Sequence, residues 1–214
     1  MAALLAVSMS ATPAAATLGV DVSVPINATT WQCFANAGVT WSAPRAWHSY
    51  GAFDNNSIAN LKGAKAVGIP SDVYLFPCPG KDAGEQAMDM LTGLSGTTFG
   101  RVWIDVEDNP SKGCDSDGCV FLREMVAVIQ QQGVKVGFYA NAHGWKTAVG
   151  DDCQIQGEYD LPLWYAHYDR NATTCADFTP FAGWTKPEMK QYTDKAGTPE
   201  LAKCGVTVDT SVSC

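Results

Sequence analysis

Residues 101–107 read Arg101-Val102-Trp103-Ile104-Asp105-Val106-Glu107, and the fold follows from this stretch. Successive side chains of a β-strand point to opposite faces, so Trp103, Asp105 and Glu107 share one face and Val102, Ile104 and Val106 the other. The branched face calls for a covering helix layer, which leaves the two acids on the inner face of a closed parallel sheet. Barrel enzymes carry their active sites at the C-terminal ends of the strands, where Asp105 and Glu107 fall. Their Cα atoms should lie roughly 6.5 Å apart, and glycosidases need a carboxyl pair of about this spacing. Two ordinary acids at a strand end reaching solvent are the plain alternative, so the motif gains weight only from its surroundings.

The surroundings repeat the pattern. In Leu18-Gly19-Val20-Asp21-Val22-Ser23-Val24 the valines share one face and Asp21 lies on the other,. Val206-Thr207-Val208-Asp209 ends in an acid that would share the mouth. Further strands are expected at 39–47, 72–76, 134–140, 161–166 and 189–193. A helix is expected at 29–35, with Thr29 and Gln32 spaced as a capping box, and another at 57–66. Asp82 and Glu85 open a third helix with Ala87, Met88, Leu91 and Leu94 as its apolar positions. A fourth spans 120–132, with Leu122, Met125, Val126 and Ile129 at helical spacing and Gly133 as its cap. Five βα units closed by three strands give an α/β class, a modified TIM-like (β/α)5β3 barrel in a single domain. Segments 141–160 and 167–187 read as long loops walling a substrate site.

The chain has 214 residues, 46% hydrophobic and 17% charged, which suits one packed domain at 17–214,. Residues 1–16 read as a secretion signal: an apolar run is followed by Ala14-Ala15-Ala16, and its shortness, with no Lys or Arg before it, reads as a truncated leader,. The eight cysteines have no zinc-ligand spacing and favour four disulfides in an oxidising compartment,. Cys114–Cys119 is the easiest local pair to expect. Sequons at Asn27, Asn55 and Asn171 also suit secretion,. A net charge of −8 with no basic cluster speaks against nucleic-acid binding, and no apolar run reaches membrane-span length,.

Four acids at one mouth repel one another, so such a cluster persists for function. Carboxylate clusters also hold calcium or magnesium, but no D-x-D-x-D-G array is present, and the mouth is rich in aromatics, which argue for sugar. These are Tyr50, Tyr74, Tyr139, Trp164, Tyr165, Tyr168, Trp184 and Tyr192, with barrel core as the alternative reading for at least half. His48, His143 and His167 have no nucleophile partner in sequence and read as polar wall.

On these motifs the chain resembles glycoside hydrolase family 25, the Chalaropsis-type lysozymes, and most of all its nematode and amoeba branch. Gly19-Val20-Asp21-Val22-Ser23 is similar to that family's opening strand, and Val102 to Glu107 to its D-x-E strand. Pro162-Leu163-Trp164-Tyr165-Ala166-His167-Tyr168, Lys190-Gln191-Tyr192 and Val206 to Asp209 are similar to its last three. The resemblance covers residues 18–212 in order. It implies a muramidase that cuts the β-1,4 bond between N-acetylmuramic acid and N-acetylglucosamine, with Glu107 as general acid supported by Asp21, Asp105 and Asp209. Substrate contacts are expected from Arg45, Tyr74, Tyr139, Trp164, Tyr165, Gln191 and Tyr192. Segment 45–51, Arg45-Ala46-Trp47-His48-Ser49-Tyr50-Gly51, departs from the Lys-x-x-Glu-Gly type common in bacterial members.

No cofactor or metal is expected. The expected partner is bacterial peptidoglycan, without nucleic acid or membrane, and the expected state is a monomer, secreted or in a phagosomal or lysosomal lumen. A chitin hydrolase is the nearest alternative, but chitinases carry further aspartates upstream where this chain has Trp103 and Arg101. A wall-binding lectin is the other, and retention of four acids argues against it. The register predicts that all four carboxyls share one pocket; coordinates that turn Asp21, Asp105 or Glu107 to the helix layer would remove the mechanism.

Overall fold

The structure of the protein, a computed structural model, describes residues 17–109, 118–150, 152–173 and 175–214. The expected leader, residues 1–16, lies outside them, as does Cys114. In chain order the elements are β1 (Leu18–Val22), α1 (Ala28–Asn36), β2 (Val39–His48), β3 (Ala52–Phe53), α2 (Asn56–Ala66), β4 (Val73–Leu75), α3 (Ala83–Gly93) and β5 (Arg101–Val106). There follow α4 (Gly118–Gln131), β6 (Lys135–Ala140), α5 (Ala142–Val149), α6 (Ile155–Tyr159), β7 (Leu163–Ala166), β8 (Met189–Thr193), α7 (Pro199–Ala202) and β9 (Asp209–Ser213). The strands run β1-β9-β8-β7-β6-β5-β4-β2, and β1–β2 pairing closes the ring. Short β3 forms a hairpin with β2 outside it. Five βα units followed by three strands make the expected (β/α)5β3 barrel.

The last strand differs from its expected place. It begins at Asp209 instead of ending there, and it pairs antiparallel with both β1 and β8. An antiparallel strand starts where its parallel neighbours end, so Asp209 still reaches the C-terminal mouth, directly opposite Asp21. The first strand stops at Val22, and Val24 is exposed.

Helix starts and faces follow local chemistry. Thr29 is not the cap of α1: extended Asn27 is, its Oδ1 accepting from the Thr30 N–H, while Gln32 donates to Asn36,. Asp82 does cap α3, accepting from the Glu85 N–H at 2.7 Å. On α3, Met90 takes the buried place expected for Met88, which is 39% exposed. On α4, Leu122, Met125, Val126 and Ile129 are all buried, in one core cluster with Val102, Ile104 and Val106 of β5. The expected loop at 141–160 instead contains α5 and α6.

Inside the ring, Trp103, Trp164, Tyr139, Ala43 and Met189 pack with Trp41 and Tyr74. The rings of Trp41 and Trp103 meet Trp164 edge-on at 5.2 and 5.8 Å. Glycines make this possible: a Cβ at Gly19 would lie 2.3 Å from the Trp41 ring, and one at Gly137 2.5 Å from that of Trp103.

Among the described residues, disulfides join Cys33–Cys204, Cys119–Cys153 and Cys175–Cys214. The local Cys114–Cys119 pair is therefore excluded. Cys119 lies in the first turn of α4, which packs on α5, and its partner follows α5. Cys33–Cys204 ties α1 to the turn after α7 across 171 residues. Closing so long a loop restricts the unfolded chain strongly, so the Cys33→Ser, Cys204→Ser double variant should lose about 3–5 kcal/mol in urea denaturation. An unchanged midpoint would contradict this.

Candidate active site

The inward alternation of each strand delivers one polar side chain to the C-terminal mouth. Asp21 comes from β1, Arg45 from β2, Tyr74 from β4, Asp105 from β5 with Glu107 just beyond it, Tyr139 from β6, Trp164 from β7, Gln191 from β8 and Asp209 from β9. Together with Ser23, Phe76 and Tyr168 they line one cavity of about 220 Å³. All four predicted acids are present. A second cavity of about 390 Å³ adjoins it, and Glu107, Tyr139 and Tyr168 line both.

The site is polar above and dry below. Beneath the acids, Trp41 and Trp103 donate their indole N–H groups to Asp72 at 3.1 and 2.8 Å, and Trp164 donates to Ser211 at 3.0 Å. Gln191 Nε2 donates to Asp21 at 2.9 Å and to Asp209 at 3.4 Å. Tyr139 donates to Gln191 Oε1 at 2.5 Å and lies 3.0 Å from the Tyr168 hydroxyl. Arg45 is held by buried Asp54 at 2.9 Å and by the Ser23 carbonyl. Among the described residues, buried Asp105 Oδ1 has no hydrogen-bond partner.

Burial pushes Asp21 and Asp105 well above the usual carboxylate range,. Neighbouring acids add to it, Asp209 first for Asp21 and Glu107 first for Asp105. Glu107 is raised by burial, then by Asp209 and Asp108. Asp209 is pushed up to about 6, by burial and then by Asp194.

The structure leaves two of the predicted contacts outside this cavity. Tyr192 lies on the opposite face of β8 from Gln191 and packs against Gly197. Tyr165 faces outward, stacked on His167 and edge-on to Phe178, and reaches only the adjoining cavity. Trp184 belongs to the helix layer, edge-on to Trp145 and donating to the Leu161 carbonyl. Tyr50 is exposed and stacked on His48. Ser23 and Phe76 were missed, although one further step of the same alternation along β1 and β4 finds them. Asp54 and Asp108 had no periodic signal.

His167, Asp169 and Asp177 are the one group of described side chains placed to hold a metal ion. Fully buried Lys190 already supplies a cation there, with Nζ 2.6 Å from Asp169 and 3.2 Å from Asp177. His167 lies 3.0 Å from Asp177.

A barrel that gathers acids raised by burial at a cleft walled by tyrosine and tryptophan defines a glycoside hydrolase site. The family model described as Lysozyme-like protein 1 matches residues 12–192. The chain is 36% identical over 196 residues to the Dictyostelium discoideum protein named "Probable GH family 25 lysozyme 2", spanning 89% of this chain and 88% of that one. It is 32% identical over 201 residues to Lysozyme-like protein 5 of Caenorhabditis elegans, spanning 91% and 90%. The GH25 lysozyme structure from Aspergillus fumigatus superposes with a TM-score of 0.73 at 17% identity, covering 93% and 94% of the two chains. The chain belongs to glycoside hydrolase family 25, the lysozymes.

The raised acids have a stability consequence. Native Asp209 keeps its proton up to about pH 6, whereas an unfolded aspartate releases it near 3.9. The native state therefore binds more protons between these values, and stability falls as pH rises through that window. Asp209→Asn removes the cost, so urea denaturation should show a gain of about 1–2 kcal/mol at pH 7 and almost none at pH 3. An equal gain at both pH values would contradict the electrostatic origin.

Proposed function

We propose that this lysozyme hydrolyses the β-1,4 bond between N-acetylmuramic acid and N-acetylglucosamine in bacterial peptidoglycan, with Glu107 as general acid. One observation carries the reading: Glu107 stands on the wall shared by two adjoining cavities, where a strand lying through both presents a glycosidic oxygen to it. That oxygen is a poor leaving group and needs a proton as the bond breaks. Burial and Asp209 keep Glu107 protonated above the usual range for its type.

Asp105 supplies the second half. It lines the same cavity, and its carboxylate accepts the N–H of the substrate's acetamido group. The acetamido oxygen then attacks the anomeric carbon while Glu107 gives its proton to the departing oxygen, and Asp105 stabilises the positive charge on the ring so formed. Glu107, now a base, takes a proton from water as water opens that ring at the same carbon. Two inversions give retention.

Arg45, Tyr74, Trp164 and Gln191 line the same cavity and supply the sugar contacts, with Tyr165 reaching the adjoining one and Tyr192 held apart from both. We extend the proposal to the setting: residues 1–16 as a leader, glycans at the sequons, and a monomer acting outside the cell or in a digestive lumen. The disulfides support this, and no described helix is long and apolar enough to cross a membrane.

Activity should form a bell on the acidic side of neutral. Turnover is lost upward as Glu107 gives up its proton, and downward as an aspartate that must be ionised gains one. Glu107→Gln should keep the fold by circular dichroism and lose about 10² to 10⁴ in turnover in a cell-wall turbidity assay. Near wild-type turnover would remove Glu107 from the role. Proton NMR of the first-formed product should show the β anomer, and an initial α anomer would rule out retention.

A further inference from the structure

We infer that the Tyr139 hydroxyl favours the carboxylate form of Asp21, against the burial and the acids around it, by fixing which end of the Gln191 amide faces it. The inference rests on the reading of these acids as the hydrolytic site. It adds a division of labour among them and a positioning residue that does not touch Asp21.

The lock works through hydrogen-bond polarity. A glutamine amide has an accepting end and a donating end, and one free to turn accepts from a protonated carboxyl as readily as it donates to an ionised one. Gln191 is buried and not free to turn. Tyr139 donates to its Oε1 at 2.5 Å, which leaves Nε2 to face Asp21 at 2.9 Å. A donor so fixed bonds a carboxylate more strongly than the carbonyl oxygen of the acid form, and it cannot accept the acid's proton. Tyr139 holds its own proton throughout, because burial raises its hydroxyl well above the ordinary value.

The chain of donors has a second end. A phenol has one proton, and that of Tyr139 is committed to Gln191, so in the 3.0 Å contact Tyr168 must be the donor,. The polarity therefore runs from Tyr168 through Tyr139 and Gln191 to Asp21, each bond reinforcing the next. Tyr168 is in turn placed by its neighbours, since Asp169 takes the ammonium of Lys190 and His167 lies against Asp177. Asp209 shares the same Nε2 at the longer distance of 3.4 Å, and among the described residues Asp105 Oδ1 has no partner.

The groups acting on Asp21 come from every side. Asp209 faces it from β9, Asp105 and Glu107 from β5, and Tyr74 from β4, while Tyr168 stands at the rim. Arg45 lines the same cavity from β2. All the acids among these work against a charge on Asp21, which is why a fixed donor is needed.

The test is a carboxyl 13C NMR titration of Asp21 in the full chain, assigned with Asp21→Asn, comparing wild type with Tyr139→Phe. Phenylalanine keeps the ring packing and removes only the lock. The Asp21 midpoint should rise by about 0.5–1 pH unit, and Gln191→Leu should raise it at least as far. An Asp21 midpoint that is unmoved or lower in Tyr139→Phe overturns the inference. The acid limb of turnover is read on the same variants. A limb that rises with the midpoint supports Asp21 as the aspartate whose ionisation sets that limb. A midpoint that rises while the limb stays fixed keeps the lock and overturns that catalytic reading instead.

Discussion

The rest of the structure depends on filling the barrel with indoles. Three tryptophans, Trp41, Trp103 and Trp164, occupy the interior below the mouth, and each has its N–H satisfied by Asp72 or Ser211. They fit because Gly19 and Gly137 leave room that any Cβ would take. A floor of this kind keeps water from the underside of the acids, so desolvation is the first cause of every raised carboxyl in the site,. The proton that hydrolysis needs is thus set by core packing as much as by the charged neighbours.

The closure of the ring matters in the same way. A fully parallel barrel would present eight strand ends to the mouth, but here the eighth strand is antiparallel and enters from it. Asp209 therefore sits opposite Asp21 in one pair of the ladder, where its charge raises Asp21 and Gln191 bridges the two. Such an arrangement costs stability near neutral pH, as expected where a site stores charge for chemistry.

Periodicity made much of this legible. Alternation along β1 and β5 placed Asp21, Asp105 and Glu107 inside, because one face of each strand is apolar and must meet helices. The same rule failed where face and function separate. Tyr192 looked like a wall residue by type, but its register puts it opposite Gln191. Asp209 was assigned to the right place by the wrong strand direction, since four residues do not reveal which way a strand runs. Helices α5 and α6 were hidden because they are short and their polar residues resemble loop. The Cys119–Cys153 bond was unreadable because pairing depends on which helices pack together.

The D-x-E strand alone would also suit a chitin hydrolase, and a lectin could keep the barrel without the chemistry. Trp103 is buried and fills the interior at the position where chitinases carry another aspartate, so the upstream half of their acid relay has no room here. The central claim is the position of the cut. It is read most directly by digesting purified peptidoglycan, reducing the new ends with borohydride and identifying the amino-sugar alcohols after acid hydrolysis. The account predicts muramitol, from chains cut after N-acetylmuramic acid; glucosaminitol as the product, or no new reducing ends at all, would contradict it.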